Sequence, residues 1–239
     1  MATKSDNPQL STINDEFLED RVGRTKKMLA HLKERAAEIS GDPAALLAAT
    51  DKYCYEKDRR MMHVGDKKGD IVRKFIQELA PMTCLELGTY CGYSAVLMAS
   101  VLPEGSRFIT VEADETLAKE VAKEFIELAG AQVSQKVTII CKKSEDVIPT
   151  LRDDFSVDKL DFVFIDHWKG AYLRDLKLLE SLSLLRKGTV VLADNIIFPG
   201  APDYLEYVQK SENYQTEMIH STVEYSDWED ALAKSVYLG

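Results

Sequence analysis

A chain of 239 residues, of which 45% are hydrophobic, is long enough to bury an ordinary globular core. Its formal net charge of −10 argues against nucleic acid as a partner, because phosphate contacts need clustered Lys and Arg, and the pair Lys67–Lys68 is too short to supply them. With no apolar stretch of the roughly 18 residues that span a membrane, and a polar start (MATKSDNPQL) unlike a signal peptide, the sequence predicts a soluble cytoplasmic protein without a membrane partner.

The first third of the chain predicts helices. Over residues 14–37, apolar side chains recur among dense charges at roughly helical intervals, which is typical of an amphipathic helix. A second helix is expected after Asp42–Pro43, because Asp caps helix starts and Pro is tolerated in the first turn. A third is expected after Gly65–Asp66. We therefore expect a helical N-terminal part over residues 1–80.

Beyond residue 80, short apolar runs alternate with amphipathic segments of helix length. The apolar runs are TCLELG, RFITVE, KVTIIC, LDFVFID and TVVLAD. Repeated units of this kind predict a parallel sheet covered by helices on both faces. Two more strand-like segments follow, and the last, ALAKSVYLG, is expected to close the sheet. The predicted fold class is α/β: a single domain over residues 1–239, with a Rossmann-like, doubly wound, mostly parallel sheet and an antiparallel C-terminal strand within residues 81–239.

An acid and two glycines lie at the end of the first strand, where sheets of this kind bind ligands. Glu86, Gly88 and Gly92 in CLELGTYCGYSA do not have the GxGxxG spacing of a dinucleotide site. Glu112 ends the second strand, where a carboxylate can accept hydrogen bonds from two ribose hydroxyls. An acid at the turn suits a cation better than a phosphate and points to S-adenosylmethionine. From these residues alone, a dinucleotide and a merely structural glycine turn remain open.

Oxygen-bearing side chains end the fourth and fifth strands. Asp166 follows the fourth, and Asp194 and Asn195 follow the fifth. If these strands neighbour the first, the carboxylates lie close together, and a bound cation relieves their repulsion. Oxygen ligands suit a hard ion such as Mg²⁺ rather than zinc. The alternative, in which each Asp caps the following helix, leaves Asn195 unexplained.

Lys169 follows Asp166 by three positions, so both side chains project to one side if a helical turn begins there. An ammonium beside a divalent cation is destabilised in its charged form, which makes Lys169 a candidate general base. Trp168 follows the strand end and can stack on an adenine. The alternatives are a solvated lysine at a helix start and a tryptophan of the core.

Three long segments and one tripeptide resemble the magnesium-dependent catechol O-methyltransferases: LELGTYCGYSA, FIDHWKGAYLRD, LLRKGTVVLADNIIFPGAPD and the tripeptide VEY. The similarity runs from about Tyr53 to the C-terminus. It implies transfer of a methyl group from S-adenosylmethionine to one hydroxyl of a catechol-type small molecule, with Lys169 as the base and Glu224 against the second hydroxyl. It implies that Asp166, Asp194 and Asn195 hold Mg²⁺, with Asn195 also beside the substrate. The cofactor residues that it implies are Val64, Glu86, Gly88, Tyr90, Ser94, Glu112, Ser144, Asp166, His167 and Trp168.

The sequence departs from this family in two places. The familiar animal enzymes carry a tryptophan of the aromatic wall over the catechol shortly before the segment that is MHVGD here, whereas this chain has Arg59 and Arg60. Phe198 and Pro199 can restore apolar contact, and we expect Arg60 to meet an acidic substituent of the substrate. Ser144–Glu145 stands where a Ser–Gln pair usually contacts adenine, so an acid replaces an amide donor.

Three other functions remain open. A cation-dependent O-methyltransferase of the caffeoyl-CoA, phenylpropanoid type shares the metal site, but the long insertion that carries its substrate contacts is not evident. A dinucleotide-dependent oxidoreductase lacks the GxGxxG motif. A non-catalytic S-adenosylmethionine-binding protein is difficult to reconcile with an intact set of Asp, Lys, Asp–Asn and Glu. The sequence leaves the oligomeric state undetermined.

Overall fold

The computed structural model describes residues 20–239. Its first part is helical, as predicted, with α1 (Arg21–Glu34), α2 (Ala36–Ile39), α3 (Pro43–Glu56) and α4 (Gly65–Leu79). The helix predicted over 14–37 corresponds to α1 and the start of α2, and its residues 14–19 lie outside the described residues. Asp42 caps α3, because its Oδ1 accepts hydrogen bonds of 3.0 Å from the backbone N–H groups of Ala44 and Ala45.

In the described part of the chain, seven strands form one sheet in the order β3-β2-β1-β4-β5-β7-β6. The first five strands are parallel, whereas β7 is antiparallel to both β5 and β6, so the predicted fold class is confirmed. The strands are β1 (Thr83–Leu87), β2 (Arg107–Glu112), β3 (Val137–Cys141), β4 (Leu160–Ile165), β5 (Leu185–Ala193), β6 (Tyr214–Thr222) and β7 (Glu229–Tyr237).

Helices cover both faces of the sheet. Successive side chains of a strand point to opposite faces of the sheet. Accordingly, Cys84 of β1 packs in one apolar cluster, and Leu85 and Leu87 pack in a second cluster on the other face. Within residues 20–239, no helix combines the length and apolarity needed to cross a membrane. The helices after β1 are α5 (Tyr93–Ala99), α6 (Lys123–Leu128, preceded by the π-helical turn Leu117–Ala122), α7 (Ala131–Ser134), α8 (Ser144–Val147), α9 (Leu151–Phe155, joined to α8 by the 3₁₀ turn Ile148–Thr150), α10 (Tyr172–Ser181, preceded by the 3₁₀ turn Lys169–Ala171) and α11 (Pro202–Lys210).

Strand order reverses between β1 and β4, and their carboxyl ends are held close together there. The backbone N–H of Asp166 donates to Leu87 O at 2.9 Å, and that of Asp194 donates to Ile165 O at 3.0 Å. Gly88 permits this approach, because its φ is +102° and a Cβ at this position would lie 2.3 Å from the backbone oxygen of Asp166. The fold therefore gathers the ends of β1, β4 and β5 at the edge where ligands bind in such sheets.

Candidate active site

Lys169 lies between the ends of β4 and β5. Its Nζ is 3.1 Å from Asp166 Oδ1 and 3.0 Å from Asn195 Oδ1. It also donates a hydrogen bond of 2.5 Å to the hydroxyl oxygen of Tyr172, and that hydroxyl donates to the backbone oxygen of Asp194 at 3.2 Å. The structure thus brings together the side chains that the sequence placed at these two neighbouring strand ends.

The oxygen atoms of this cluster suit a hard cation. The same ammonium contacts Asp166 and Asn195, so an oxygen of each side chain faces the same position. Asp194 Oδ1 accepts a 2.7 Å hydrogen bond from the backbone N–H of Asn195, and this bond does not involve the other carboxylate oxygen, Oδ2. Within residues 20–239, no three His, Cys, Asp or Glu side chains are grouped as a metal site.

The end of β5 is electrostatically and conformationally unusual. Burial raises the pKa of Asp194 to about 7, an increase that Lys68 opposes and Asp166 reinforces. A cation beside this carboxylate stabilises its charged form. Asn195 has a φ of +55°, in the left-handed region, which Asn tolerates better than most residues. Such a conformation is costly and is often found at functional sites.

Lys68 and Asp230 belong to this cluster, and the sequence analysis missed both. Lys68 is fully buried, although its place in a short basic pair suggested a surface residue. A signal for its burial was present, since Val64, Lys68, Val72 and Ile76 recur every four residues and are all buried. Asp230 is also fully buried, and it carries no comparable signal because its partners come from distant segments.

Glu224 joins the cluster through Lys68. Its Oε2 is 3.5 Å from Lys68 Nζ, and burial raises the pKa of the carboxyl while Lys68 opposes that rise. The start of α4 lies directly against it, because a Cβ on Gly65 would be 2.9 Å from the Cβ of Glu224. Gly65 has a φ of +68°, so both its conformation and its surroundings favour glycine.

Glu86 lies at the end of β1 with a neutral hydrogen-bond partner. Its Oε2 accepts a hydrogen bond from the hydroxyl of Thr110, while Oε1 is buried without a partner among the described residues. Burial raises the pKa of Glu86 to about 8. A buried acid with an unpartnered oxygen is suited to a cationic ligand group, such as the ammonium of S-adenosylmethionine.

Glu112, at the end of β2, is held by the backbone. Its Oε2 accepts from the N–H of Tyr90 at 2.8 Å, and its Oε1 accepts from the N–H of Asp114 at 2.9 Å. Burial raises the pKa of this carboxyl. These bonds fix both oxygens beside the turn that carries Gly88, and each oxygen has a further lone pair for a ligand hydroxyl.

Comparison with known proteins identifies the family. A family model described as O-methyltransferase matches residues 37–222. The chain belongs to the O-methyltransferase family. It is 46% identical over 216 residues to Catechol O-methyltransferase of Bos taurus, covering 90% of this chain and 77% of that protein. It is 46% identical over 219 residues to Catechol O-methyltransferase B of Danio rerio, covering 92% of this chain and 81% of that protein.

A solved structure supports the methyltransferase fold. The O-methyltransferase TomG from Streptomyces achromogenes, crystallised in complex with SAM, matches with a TM-score of 0.67. The match covers 81% of this chain and 90% of that one, at 21% sequence identity. At this identity the likeness concerns the fold alone.

Some of the side chains predicted to contact the cofactor already have protein partners. His167 Nε2 is 2.7 Å from Asp175 Oδ2, and its ring stacks on Tyr172. Ser144 Oγ accepts a 3.3 Å hydrogen bond from Arg174 Nη2, and Arg174 also pairs with the neighbouring Glu145. The charge of Glu145 is therefore balanced within the protein. Val64 is buried immediately before α4, whereas Trp168 is 74% exposed.

On the substrate side, the two candidate contacts differ. Phe198 is buried and packs edge to face against Trp228, with 5.3 Å between ring centroids. Trp228 was missed by the sequence analysis, since it lies 30 positions beyond Phe198. Arg60 donates from Nε and Nη2 to the carboxylate of Asp58, at 2.8 and 2.9 Å, and 60% of its side chain is exposed. Its part in substrate binding stays a prediction.

Proposed function

We propose that this methyltransferase transfers the methyl group of S-adenosylmethionine to one hydroxyl of a catechol-type small molecule, with Mg²⁺ bound beside the substrate. The observation that supports it best is the position of Lys169 Nζ, within 3.1 Å of oxygens from both Asp166 and Asn195. A base and oxygen ligands for one cation thereby share one site. The names of the relatives at 46% identity support the same substrate class.

In this proposal the ends of β1 and β2 bind the methyl donor. The unpartnered oxygen of Glu86 receives its ammonium group, and Glu112 accepts hydrogen bonds from its ribose hydroxyls. Trp168, which is largely exposed, covers the adenine. S-Adenosylmethionine, once bound, supplies an electrophilic methyl group on a sulfonium. The backbone bonds to Glu112 hold its oxygens in place before the ligand arrives, so less ordering accompanies binding.

The ends of β4 and β5 bind the substrate and the metal. Asp166, Asp194 and Asn195 would hold Mg²⁺, which when bound would stabilise negative charge on a catechol oxygen. Lys169, in its neutral amine form, takes the proton of the reacting hydroxyl at Nζ. Tyr172 fixes the position of Nζ through their 2.5 Å hydrogen bond.

The surroundings of the reacting hydroxyl complete the proposed mechanism. Glu224 accepts a hydrogen bond from the second hydroxyl. Phe198 and Trp228 form one apolar side of the substrate pocket, which excludes water from the ring. Transfer neutralises opposite charges on the phenolate and the sulfonium, and a poorly solvated site favours their attraction.

We further propose that the protein forms a single domain over residues 1–239 and is located in the cytoplasm. We propose that it binds neither nucleic acid nor a membrane.

A screen of catechols with labelled S-adenosylmethionine tests the proposal directly. We expect methyl transfer to catechols but not to matched phenols with one hydroxyl, and its loss after chelation of divalent ions and recovery with Mg²⁺. Transfer to a phenylpropanoyl thioester but not to free catechols would favour the neighbouring enzyme class. Stabilisation by NAD rather than by S-adenosylmethionine would indicate a dinucleotide enzyme. Cofactor binding without any turnover would indicate a non-catalytic binding protein.

A further inference from the structure

Beneath the proposed metal site, one buried ammonium contacts three carboxylates. Lys68 Nζ lies 2.8 Å from Asp194 Oδ1, 2.9 Å from Asp230 Oδ2 and 3.5 Å from Glu224 Oε2. Burial opposes the charge of Lys68, but attraction to Asp194, Glu224 and Asp230 raises its pKa above the usual range. A buried ion network of this kind restricts geometry, because breaking any pair leaves an uncompensated charge.

Asp230 connects this ammonium to the segment after β5. Its Oδ1 accepts hydrogen bonds from the backbone N–H groups of Ile197 at 3.2 Å and Phe198 at 3.1 Å. Its Oδ2 accepts from Lys68 Nζ and, at 2.9 Å, from the side-chain Nδ2 of Asn195. Four donors therefore converge on one fully buried carboxylate.

These contacts determine which end of the Asn195 amide faces the ligand site. A carboxylate only accepts hydrogen bonds, so Asp230 requires the amide nitrogen on its own side. The amide oxygen then points the other way, to within 3.0 Å of Lys169 Nζ and beside Asp166. Only the oxygen end of an amide is a useful ligand for Mg²⁺.

Lys68 restricts the orientation of Asp194, another proposed metal ligand, in a similar way. Both Lys68 Nζ and the backbone N–H of Asn195 contact Oδ1 of Asp194, at 2.8 and 2.7 Å. With Oδ1 engaged by two donors on the protein side, Oδ2 is the oxygen suited to a cation. The two contacts restrict rotation of the carboxylate about its side-chain bond.

We propose that Asp230 is a positioning residue for the metal site: it orients the Asn195 amide with its oxygen toward the ion, and Lys68 supports both Asp230 and Asp194. The inference rests on the proposed function, because it takes Asn195 and Asp194 to be metal ligands. Partners of this kind, which hold metal ligands without touching the metal, typically contribute 10- to 100-fold to metal affinity.

Replacing Asp230 by Asn provides a specific test. Lys68 keeps Asp194 and Glu224 as acceptors, so the introduced amide would keep its oxygen on the fixed N–H groups of Ile197 and Phe198 and place its nitrogen toward Asn195 and Lys68. Asn195 must then turn its oxygen to that nitrogen, and its own nitrogen faces the metal. We expect the dissociation constant for Mn²⁺, followed by electron paramagnetic resonance as a probe for Mg²⁺, to rise about 10-fold or more.

The double variant Asn195→Asp with Asp230→Asn supplies the rescue. A carboxylate at position 195 accepts from the amide at position 230 with one oxygen and presents the other to the ion. We expect Mn²⁺ binding to recover to near the wild-type level in this variant. A residue that only stabilised the fold would not be rescued by exchanging the two side chains.

Asp161→Asn is the matched control. Asp161 Oδ2 also accepts two backbone N–H groups, from Met82 and Thr83 at 2.9 and 3.0 Å, and its Oδ1 binds a basic side chain, Arg186. It lies at the opposite edge of the sheet, near the start of β4. We expect this variant to bind Mn²⁺ like the wild type and to lose less stability than Asp230→Asn, because Arg186 is half exposed whereas Lys68 is fully buried.

The outcomes separate the two proposals. If the wild type binds no Mn²⁺, the proposed metal site is wrong and the positioning role is lost with it. If the wild type binds Mn²⁺ and folded Asp230→Asn binds it equally well, only the positioning role is overturned. If Asp230→Asn does not fold, the double variant decides: recovery of binding supports the proposal, and a folded double variant without Mn²⁺ affinity contradicts it.

Discussion

The two halves of the site, at the ends of β1 and β2 and at the ends of β4 and β5, stabilise their buried acidic side chains in different ways. At the end of β1, Glu86 accepts a hydrogen bond from the hydroxyl of Thr110 and retains an oxygen without a partner among the described residues. At the end of β5, Asp194 faces the ammonium of Lys68. An acid with neutral partners needs a positive charge from its ligand, whereas an acid beside lysines is already partly compensated. The comparison indicates that the β1–β2 half is suited to a cationic organic ligand, and the β4–β5 half to ions and protons.

The largest effect is expected for Asp194→Ala, which should abolish metal dependence and most of the turnover, because a proposed ligand is lost and Lys68 loses a partner 2.8 Å away. Turnover with Mg²⁺ and with a chelator measures this. Glu86→Gln is the control from the other half of the site, and its remaining activity should still require Mg²⁺. Persistent stimulation by Mg²⁺ in Asp194→Ala would contradict the assignment.

The next largest effect is expected for Lys169→Ala. Loss of the base should slow turnover on the order of 100-fold or more. Cofactor affinity, measured by calorimetry, should be nearly unchanged, because Glu86 and Glu112 are untouched. Lys169→Arg is the matched control: it keeps the positive charge but does not give up its proton, so it should be similarly slow. Lost cofactor affinity in the alanine variant, or fast turnover in the arginine variant, would show that Lys169 is not the base.

Glu86→Gln should change how stability depends on pH. The folded pKa of Glu86, about 8, lies above its ordinary value of 4.5, so the folded protein retains a proton that the unfolded chain releases. The free energy of unfolding of the wild type should therefore fall, relative to the variant, by up to about 1.4 kcal/mol per pH unit between these values. Urea unfolding without cofactor, at several pH values across this window, provides the measurement.

A control for this pH dependence is available in Asp161. Its pKa is lowered, because the hydrogen bonds from Arg186 and two backbone N–H groups outweigh the effect of burial. Its stabilising contribution is thus fully present above its ordinary pKa of 3.8 and is lost only in more acidic solution. The difference between wild type and Asp161→Asn should stay constant from pH 5 to 8. A constant difference for Glu86→Gln as well would refute the proposed protonation of Glu86.

A smaller effect is expected for Trp228→Ala. Trp228 packs on Phe198 at one side of the proposed substrate pocket, and an aromatic pair contributes about 0.5–1.5 kcal/mol beyond area burial, so losing the contact of Trp228 with the catechol ring should raise the KM for the catechol by up to about 10-fold. The kcat and the KM for S-adenosylmethionine should change little, since the β1–β2 half is not involved. An unchanged KM for every catechol tested would exclude Trp228 from the substrate pocket.

The smallest effect is expected for Arg60→Ala. Because Asp58 already neutralises Arg60, the variant should weaken binding of carboxylated catechols only modestly, relative to neutral and cationic ones. Steady-state kinetics on the three substrate types provide the comparison. If the relative kcat/KM values of the three types are the same before and after substitution, Arg60 does not select acidic substrates.

Much of the fold could be predicted from local patterns. Alternating apolar runs and amphipathic segments gave the order of strands and helices, and the resemblance suggested which strand-end residues belong to a site. Helix α1 was placed with the correct period, since its apolar side chains Met28, Leu29 and Leu32 are all buried in one cluster. Lys68 shows the limit of such patterns: a lysine within an apolar helical face is buried only when other segments supply its counter-charges.

The sequence by itself therefore determined the α/β architecture and the acids at the strand ends, because side-chain periodicity and strand polarity are local properties of the chain. Only the tertiary structure decided that Lys68 meets Asp230, which is 162 residues away, and that the Asn195 amide is turned toward Lys169. It also decided that Trp228 packs on Phe198. Contacts of this kind depend on how whole elements pack together, and no single segment specifies them.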